Sequence, residues 1–239
     1  MPLSTGVIAG RRPRVKPVRL HSGRVLAERL ADLGSSKEAL RFLTHEMEAA
    51  VGLSKLHPAM LSARLTRAAL LAECEQYADA LDLATESIHD LKRAVRSSDP
   101  ALIRAELNAA EIEVRAGHIR GALDDLERLV AETEVDYGRD HLVSLESRRV
   151  LDATEVISGN ISGGKGLLED VAASALSNLG PDHLLALETS LLLLELRDES
   201  GSSLDSPEDL FARCTRVLGA AHPLTGRAQL LLPGAESQA

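Results

Sequence analysis

The stretch "HLVSLESRRVLDATEVISGNISGGKGLLEDVAASALSNLGPDH", from His141 to His183, is one complete unit between two histidine landmarks. Apolar residues recur three and four positions apart before Gly159, and a second amphipathic stretch follows it, which predicts two helices. Gly159 is predicted to form the turn between them, because a residue without a Cβ atom readily adopts a left-handed backbone conformation. The stretch therefore predicts a helical hairpin.

The same turn also resembles a nucleotide-binding P-loop, since Gly159 is followed by Gly164 and Lys165. A working P-loop needs a serine or threonine directly after the lysine and an apolar strand before the glycines. Here Gly166 follows the lysine, and the preceding residues have helical periodicity. We therefore interpret the glycines as part of the hairpin turn and predict no nucleotide cofactor.

The hairpin repeats along the chain. Landmark pairs recur every 42 residues, with a last step of 39, at His57-Pro58, Asp99-Pro100, His141-Leu142, His183-Leu184 and His222-Pro223. A second series keeps the same 42-residue step at Glu75, Gly117, Gly159 and Gly201. We call the helix that begins at each landmark helix A and the helix after each turn helix B. Asp99 is suited to cap its helix, and Pro100 is suited to a first turn.

A fixed period of this length is typical of repeat proteins. Single hairpins cannot bury their apolar faces alone, so the predicted fold is an all-α, right-handed superhelical solenoid of antiparallel helix pairs. About five hairpins, the last one incomplete, occupy residues 21–232. Residues 1–20 are expected to be a basic, disordered arm, and residues 233–239 a disordered tail.

The composition narrows the class of protein. No apolar run approaches the roughly 18 to 20 residues that span a bilayer, so no membrane partner is expected. Two cysteines, Cys74 and Cys214, lie in apolar helical patterns, which favours buried thiols in a reducing compartment and hence the cytoplasm. Aromatic residues are only 2% of the chain, which argues against stacking of bases or sugars.

Charge is distributed unevenly. The net charge is −9, yet residues 1–20 contain five basic residues and no acidic one, so the remainder has 22 basic against 36 acidic residues, a net charge of −14. An acidic body repels phosphate backbones. Nucleic acid or anionic lipid would therefore be contacted only through the basic N-terminal arm.

Two phrases and a dipeptide suggest a family. "LGPDH" (Leu179 to His183), "AAHPLT" (Ala220 to Thr225) and the Ala-Leu pairs of helix B, such as Ala80-Leu81, resemble the tetratricopeptide repeat. The step of 42 residues is similar to the long variant found in kinesin light chain and in many bacterial regulatory and signalling proteins. The resemblance covers roughly residues 35 to 231. It implies a superhelix whose concave face, lined by A helices, holds a peptide or a partner protein.

Asparagines in the middle of helix A clamp peptide backbones in the kinesin-type repeats. The matching positions here are Thr66, Asn108, Val150 and Leu192. Only Asn108 fits, so it is the one partner-binding residue that the resemblance transfers, and a generic clamp along the whole groove is not expected.

A second set of candidates lies seven residues after each landmark, at Arg64, Glu106, Arg148 and Ser190. If this register faces the groove, its alternating charge grips a polar partner. The alternative is an Arg-to-Glu ladder between adjacent repeats, which contributes little when exposed. Both interpretations remain open from the sequence.

Other chemistry-bearing residues are interpreted structurally. The histidines at positions 57, 141, 183 and 222 begin different repeats, too far apart to share one metal ion, so helix capping or packing is predicted and no metal site. The acidic residues of the helices form no recognisable catalytic set. We predict that the protein is not an enzyme and has no cofactor.

The C-terminal end is unusually apolar. Leu184 to Arg197 is apolar around most of its circumference, and "AQLLL" (Ala228 to Leu232) lacks the polar cap that solenoid ends normally carry. We expect a second copy of the chain or another protein to cover this end.

The expected function is that of a scaffold or adaptor in a bacterial cytoplasm that binds a partner protein or peptide. One alternative is a regulatory domain that senses a ligand or peptide and acts with a transcription factor. Another is an enzyme on a helical-repeat scaffold.

Overall fold

The computed structural model describes residues 15–196 and 206–233, and all the regular elements in these ranges are helices. The helices are α1 Val15–Asp32, α2 Ser36–Ala49, α3 Pro58–Glu73, α4 Tyr77–Ala94, α5 Pro100–Arg115, α6 Ile119–Tyr137, α7 Leu142–Ser158, α8 Ile161–Leu179, α9 Leu184–Glu195, α10 Pro207–Leu218 and α11 Pro223–Leu230. The odd-numbered helices are the A helices and the even-numbered ones the B helices.

The landmark residues cap the A helices, as predicted. The Nδ1 atoms of four histidines each accept a hydrogen bond from the backbone N–H two residues further on, at 3.1 to 3.3 Å: His57, His141, His183 and His222. The Asp99 carboxylate accepts the equivalent bond from Ala101 at 2.9 Å. These side chains satisfy backbone donors that have no partner within the first helical turn. Each of these histidines therefore caps the start of a different helix.

The predicted hairpin turns are also confirmed. Gly117 and Gly159 have φ angles of +87° and +106°, in the left-handed region that glycine adopts without strain. The stretch that resembles a P-loop is thus a two-residue connection, Gly159 and Asn160, followed by the beginning of α8, since α7 ends at Ser158 and α8 begins at Ile161. Of the second landmark series, Gly201 lies outside the described residues.

Gly164 allows α8 to approach α7 closely. A Cβ atom at this position would lie 2.8 Å from the carbonyl oxygen of Asp152 and 2.7 Å from a methyl group of Val156. Both separations are shorter than van der Waals contact, so any larger residue would push the two helices apart. The absence of a side chain at this position therefore permits the close packing of helix A and helix B.

The core is a chain of local clusters, each shared by neighbouring helices. Leu126 of α6 packs with Ile103 of α5 and Val150 of α7, for example. Further clusters join α1 to α3, α7 to α9 and α9 to α11. Each A helix contacts its own helix B and the next helix A, while each helix B also contacts the next helix A. Pairs of helices therefore stack in sequence order, as a solenoid requires.

The first helix begins earlier than expected. α1 starts at Val15, inside the segment interpreted as an arm, and Pro17 lies in its first turn, where a missing N–H has no helical partner to lose. The Arg19 guanidinium lies 2.7 Å from the Glu46 carboxylate of α2, so at least this basic residue of the segment belongs to the packed helices. Residues 1–14 and 234–239 lie outside the described ranges.

The apolar helix α9 is covered mainly by its own chain. Leu187, Leu191 and Leu194 pack against Leu210 and Cys214 of α10, and α11 closes the same cluster. At the end of the solenoid the Leu230 side chain is 73% exposed. Covering of this end by a second copy or another protein stays a prediction. No helix in the described part of the chain is both long and apolar enough to cross a bilayer.

Candidate functional site

The A helices line a groove that runs along one side of the solenoid. A cavity of about 400 Å³ lies among α1, α3 and α5, and a second of about 380 Å³ lies among α5, α7 and α9. Arg104 and Asn108 of α5 line both cavities. No helix B contributes to either lining, so the two cavities form one continuous surface, which we call the A-helix groove.

Two positions of each repeat recur along this surface. The fifth residue after each landmark lines the groove in four successive repeats, at Ser62, Arg104, Glu146 and Glu188. The ninth residue lines it in three, at Thr66, Asn108 and Val150. The first column repeats every 42 residues and consists only of polar or charged residues, a signal that sequence reasoning missed.

Ion pairs cross the groove floor between A helices of adjacent repeats. The Arg149 guanidinium of α7 lies 3.4 Å from a Glu111 carboxylate oxygen of α5 and 3.5 Å from one of Glu188 of α9. One cation is therefore shared between two carboxylates. Arg104 and Glu146 are further apart, at 3.9 Å.

Near α1 the Glu28 carboxylate is held from two sides. It accepts a hydrogen bond from the Thr66 hydroxyl of α3 at 3.0 Å and pairs with Arg24, one turn earlier on its own helix. Polar links between neighbouring A helices thus join α1 to α3, α5 to α7 and α7 to α9.

Glu188 shows the electrostatic balance of the groove. Burial raises the pKa of its carboxyl, and the negative charges of Glu111 and Glu146 raise it further, while Arg149 partly offsets these effects. The raised pKa therefore reflects mainly the burial of this carboxyl between α7 and α9.

Among the residues selected from the sequence, Asn108 lies in the groove, as the resemblance implies. Glu106 lies elsewhere, since it lines a smaller cavity of about 190 Å³ among α4, α5 and α6. Its carboxylate is 2.9 Å from the Lys92 ammonium of α4. It therefore contacts the preceding helix B rather than the groove.

Arg64, Arg148 and Ser190 are placed between helices, with only 6%, 5% and 4% of their surface exposed. Arg64 donates a hydrogen bond to the Asp90 carboxylate of α4 at 2.7 Å. The Arg148 Nε atom is 3.8 Å from Glu134 of α6. The structure therefore places this register away from the groove, and it also forms no ladder between adjacent A helices.

The geometry of the α-helix explains the difference in placement. Two positions along a helix rotate a side chain by about 200° around its axis, so the fifth and seventh residues after a landmark point to nearly opposite sides. Since the fifth faces the groove, the seventh faces the B helices. Whether any of the selected residues binds a partner stays a prediction.

The described residues give no support for a metal site or for a reactive cysteine. They contain no group of three or more histidine, cysteine or acidic side chains placed to hold a metal ion. Neither cysteine is in a disulfide, and burial raises the pKa of the Cys214 thiol, which makes it less reactive.

The fold of this chain is similar to that of several solved structures. A crystal structure of nearly identical TPR-like repeats from Podosopora anserina, described as a kinesin light chain, is 22% identical, with a TM-score of 0.59 over 93% of this chain and 98% of that one. A single-substitution variant of the same protein matches equally well. BtubC (BKLC) from P. vanneervenii is 14% identical, with a TM-score of 0.50 over 91% of this chain and 90% of that one. No protein-family model and no curated protein matches the sequence.

These likenesses confirm the predicted fold class, an all-α superhelical solenoid of antiparallel helix pairs. They also agree with the long repeat that the landmark residues indicated. The chain has the tetratricopeptide-like repeat fold of the kinesin light chain type.

Proposed function

We propose that the protein is a non-enzymatic interaction module that binds a partner protein or peptide in the A-helix groove. The observation that carries the proposal is the continuity of the groove, whose two cavities meet at Arg104 and Asn108. A surface of this kind suits an elongated partner better than a compact metabolite.

The length of the groove fits an extended peptide. Five A helices line it, and packed helices lie about 10 Å apart, so it is about 40 Å long. An extended chain advances about 3.3 Å per residue, so about twelve residues would fill the groove.

Asn108 is well placed to hold the backbone of such a peptide. Its side-chain amide has both donor and acceptor groups and can therefore pair with a peptide N–H and C=O together. Apolar side chains of the two cavities, including Leu65 and Leu184, supply surface for aliphatic groups of the partner. The module thus offers backbone recognition at the junction of the cavities and apolar contacts on both sides.

The pairing of charges supports a binding role rather than catalysis. The ionisable groups of the groove are mostly carboxylates and arginines joined to each other across adjacent helices. The expected setting remains a bacterial cytoplasm, which two cysteines outside any disulfide support.

Site-specific photo-crosslinking in the cells that produce the protein tests the proposal. A photoreactive amino acid replaces Ser62 or Arg104 in the groove, and Glu127, exposed on α6, is the matched control. We expect discrete protein adducts from the two groove positions and none from the control. Adducts from Glu127 alone, or from no position, would contradict binding in the groove.

A further inference from the structure

We infer that the A-helix groove selects a basic partner segment, one that carries several lysine or arginine residues separated by short apolar ones. This inference rests on the proposed function and specifies the chemistry of the partner. It follows from the charges that line the groove, from their exposure and from the way in which they are paired.

Acidic side chains outnumber basic ones in the groove. Three arginines line the two cavities, Arg24, Arg104 and Arg149. Six carboxylates line them, which gives a formal charge of 3 − 6 = −3: Glu28, Asp32, Glu73, Glu111, Glu146 and Glu188. The acidic-to-basic ratio is thus two to one, compared with 36 to 27 for the whole chain. A negative potential along the groove attracts a positively charged segment and repels an acidic one.

The carboxylates are also more accessible than two of the three arginines. The Glu111 side chain is 40% exposed, whereas Arg149, with which it pairs, is 19% exposed. Glu28 and Arg24 differ in the same way, at 41% and 20%. Because the arginines lie deeper, a partner that enters the groove meets carboxylate oxygens first.

Sharing of the arginines leaves these carboxylates with unused acceptor capacity. Arg149 serves both Glu111 and Glu188, and each carboxylate can accept several hydrogen bonds. A lysine or arginine of the partner can therefore add a charge-assisted hydrogen bond without displacing Arg149.

Arg104 is the exception, because its side chain is 64% exposed where the two cavities meet. A basic segment must pass this cation, so Arg104 should weaken binding. The two kinds of substitution should therefore change the affinity in opposite directions. Removal of carboxylates should reduce the affinity, whereas removal of Arg104 should increase it.

The experiment selects peptides from a random dodecapeptide library on the intact chain and measures the affinity of the enriched peptides. Peptides with a net positive charge are expected. Their affinity should fall about tenfold in the triple variant Glu28→Gln, Glu111→Gln, Glu188→Gln, because each exposed ion pair that is lost weakens binding about two- to threefold. It should rise about threefold in Arg104→Gln, on the same scale.

The matched control removes the same charge from exposed positions of B helices, with Asp124→Asn, Glu127→Gln and Glu169→Gln. It should leave the affinity within about twofold, since these residues lie outside the groove. Circular dichroism and thermal unfolding establish that the variants are folded. Arg104→Gln keeps the test decisive if the triple variant unfolds, because an unchanged or reduced affinity in Arg104→Gln contradicts the inference.

The outcomes separate the two proposals. Enriched peptides that are neutral or acidic, but bind more weakly when Asn108 is substituted, would agree with binding in the groove. They would contradict the inference that the partner segment is basic. Enriched peptides that are insensitive to every groove substitution, or an absence of enrichment, would overturn the proposed function itself. Basic peptides whose affinity falls equally in the triple variant of the groove and in the triple control variant would show nonspecific attraction to an acidic protein. This outcome would also contradict the inference.

Discussion

The second and fourth repeats contain the same buried arginine in different surroundings. Arg64 and Arg148 lie two repeats, or 84 residues, apart, and both are almost fully buried between helices. The nearby positions Lys55 and Glu86 correspond to Arg139 and Asp170, so the exposed parts of the two sites keep the same charges. The two sites differ in the position of the buried carboxylate.

In the second repeat the carboxylate faces the arginine from another helix. Arg64 is 2.7 Å from Asp90 and 3.1 Å from Glu86, both on α4. The hydrogen bond from Arg64 lowers the pKa of the Asp90 carboxyl despite its desolvation, and the charge of Lys55, 3.7 Å away, lowers it further. The acid and the base are both charged and well paired.

In the fourth repeat Ser174 occupies the position of Asp90, and the acid is instead Asp152, in place of Ala68. Asp152 lies on α7 itself, four residues after Arg148. Oδ2 of Asp152 and both terminal nitrogens of Arg148 are buried without a hydrogen-bond partner in the described chain. Burial raises the pKa of Asp152 to about 7, and although Arg148 opposes this, the negative charges of Asp170 and Glu155 add to it.

The comparison shows that orientation decides whether a buried charge is satisfied. Side chains four residues apart on one helix lean in the same direction and lie side by side. A carboxylate on a facing helix can instead approach the guanidinium end to end. We therefore expect Arg64 to stabilise its repeat and the Arg148 site to be a weak point between α7 and α8.

Replacement of the two arginines gives the largest expected contrast. Arg64→Leu removes the hydrogen-bonded counter-ion of the buried Asp90 and leaves only the exposed Lys55 near it, so it should lower the free energy of unfolding by about 3 kcal/mol. Arg148→Leu should change it by less than about 1 kcal/mol, because its guanidinium is poorly paired. Urea unfolding at pH 6 measures both. Equal losses would show that the two sites do not differ.

Transfer of the second-repeat arrangement to the fourth repeat should stabilise the protein. The double variant Asp152→Ala, Ser174→Asp moves the carboxylate to the facing helix and should raise the free energy of unfolding by about 3 kcal/mol at pH 8. Asp152→Ala alone is the control, and its gain should be smaller because Arg148 then has no nearby buried acid. A double variant that is no more stable than the single one would refute the role of orientation.

The pH dependence tests Asp152 itself. Below about pH 4 this carboxyl is protonated in both the folded and the unfolded chain. Between about pH 4 and 7 the folded chain keeps a proton that the unfolded chain releases, so the stability due to this group falls as the pH rises. Asp152→Asn, which does not titrate, should therefore gain stability relative to the natural chain across this range. A shift of the pKa from 3.8 to about 7 corresponds to about 4 kcal/mol, and relaxation and water penetration around the buried charge should reduce the gain to about 2 kcal/mol at pH 8.

Stability measured at pH 4, 6 and 8 checks this prediction, and Glu169→Gln, at an exposed position of α8, serves as the control. The advantage of Asp152→Asn should stop growing above about pH 7. An advantage that is the same at all three pH values would mean that Asp152 is charged throughout.

Substitution of the helix caps should have the smallest effect on stability, and this effect should be the same in the two repeats. His57→Ala and His141→Ala should each lower the free energy of unfolding by about 1 kcal/mol, since each removes one backbone hydrogen bond at the start of helix A. Asparagine at the same positions should retain most of the stability. Thermal unfolding distinguishes these cases, and a clearly larger loss in one repeat would show that the caps also differ.

Helix boundaries could be predicted from the sequence because they depend on local chemistry. Histidine or aspartate at a helix start and glycine at a turn satisfy nearby backbone groups or adopt a left-handed conformation, and both effects are visible within a few residues. The position of α1 was less predictable. Its basic residues suggested an arm, whereas Arg19 pairs with Glu46, 27 residues further along the chain.

The groove residues were harder to identify, because periodicity finds a helix but does not fix its rotation against its neighbours. Charged residues are usually exposed, so Arg64 and Arg148 were natural candidates for the groove. Their burial depends on Asp90 and Glu134, which lie on other helices. Asn108 lines the groove at a position whose helix rotation the family resemblance supplies, and its role in binding stays a prediction.

The division of the core into clusters between neighbouring helices has a practical consequence for engineering. Since no residue of α3 packs against α9, the chain has no single centre that a longer solenoid would disturb. Duplication of a 42-residue unit should therefore lengthen the binding surface by one helix A, and deletion should shorten it by one. The reach of the protein along a partner would then be set by how many units its gene encodes.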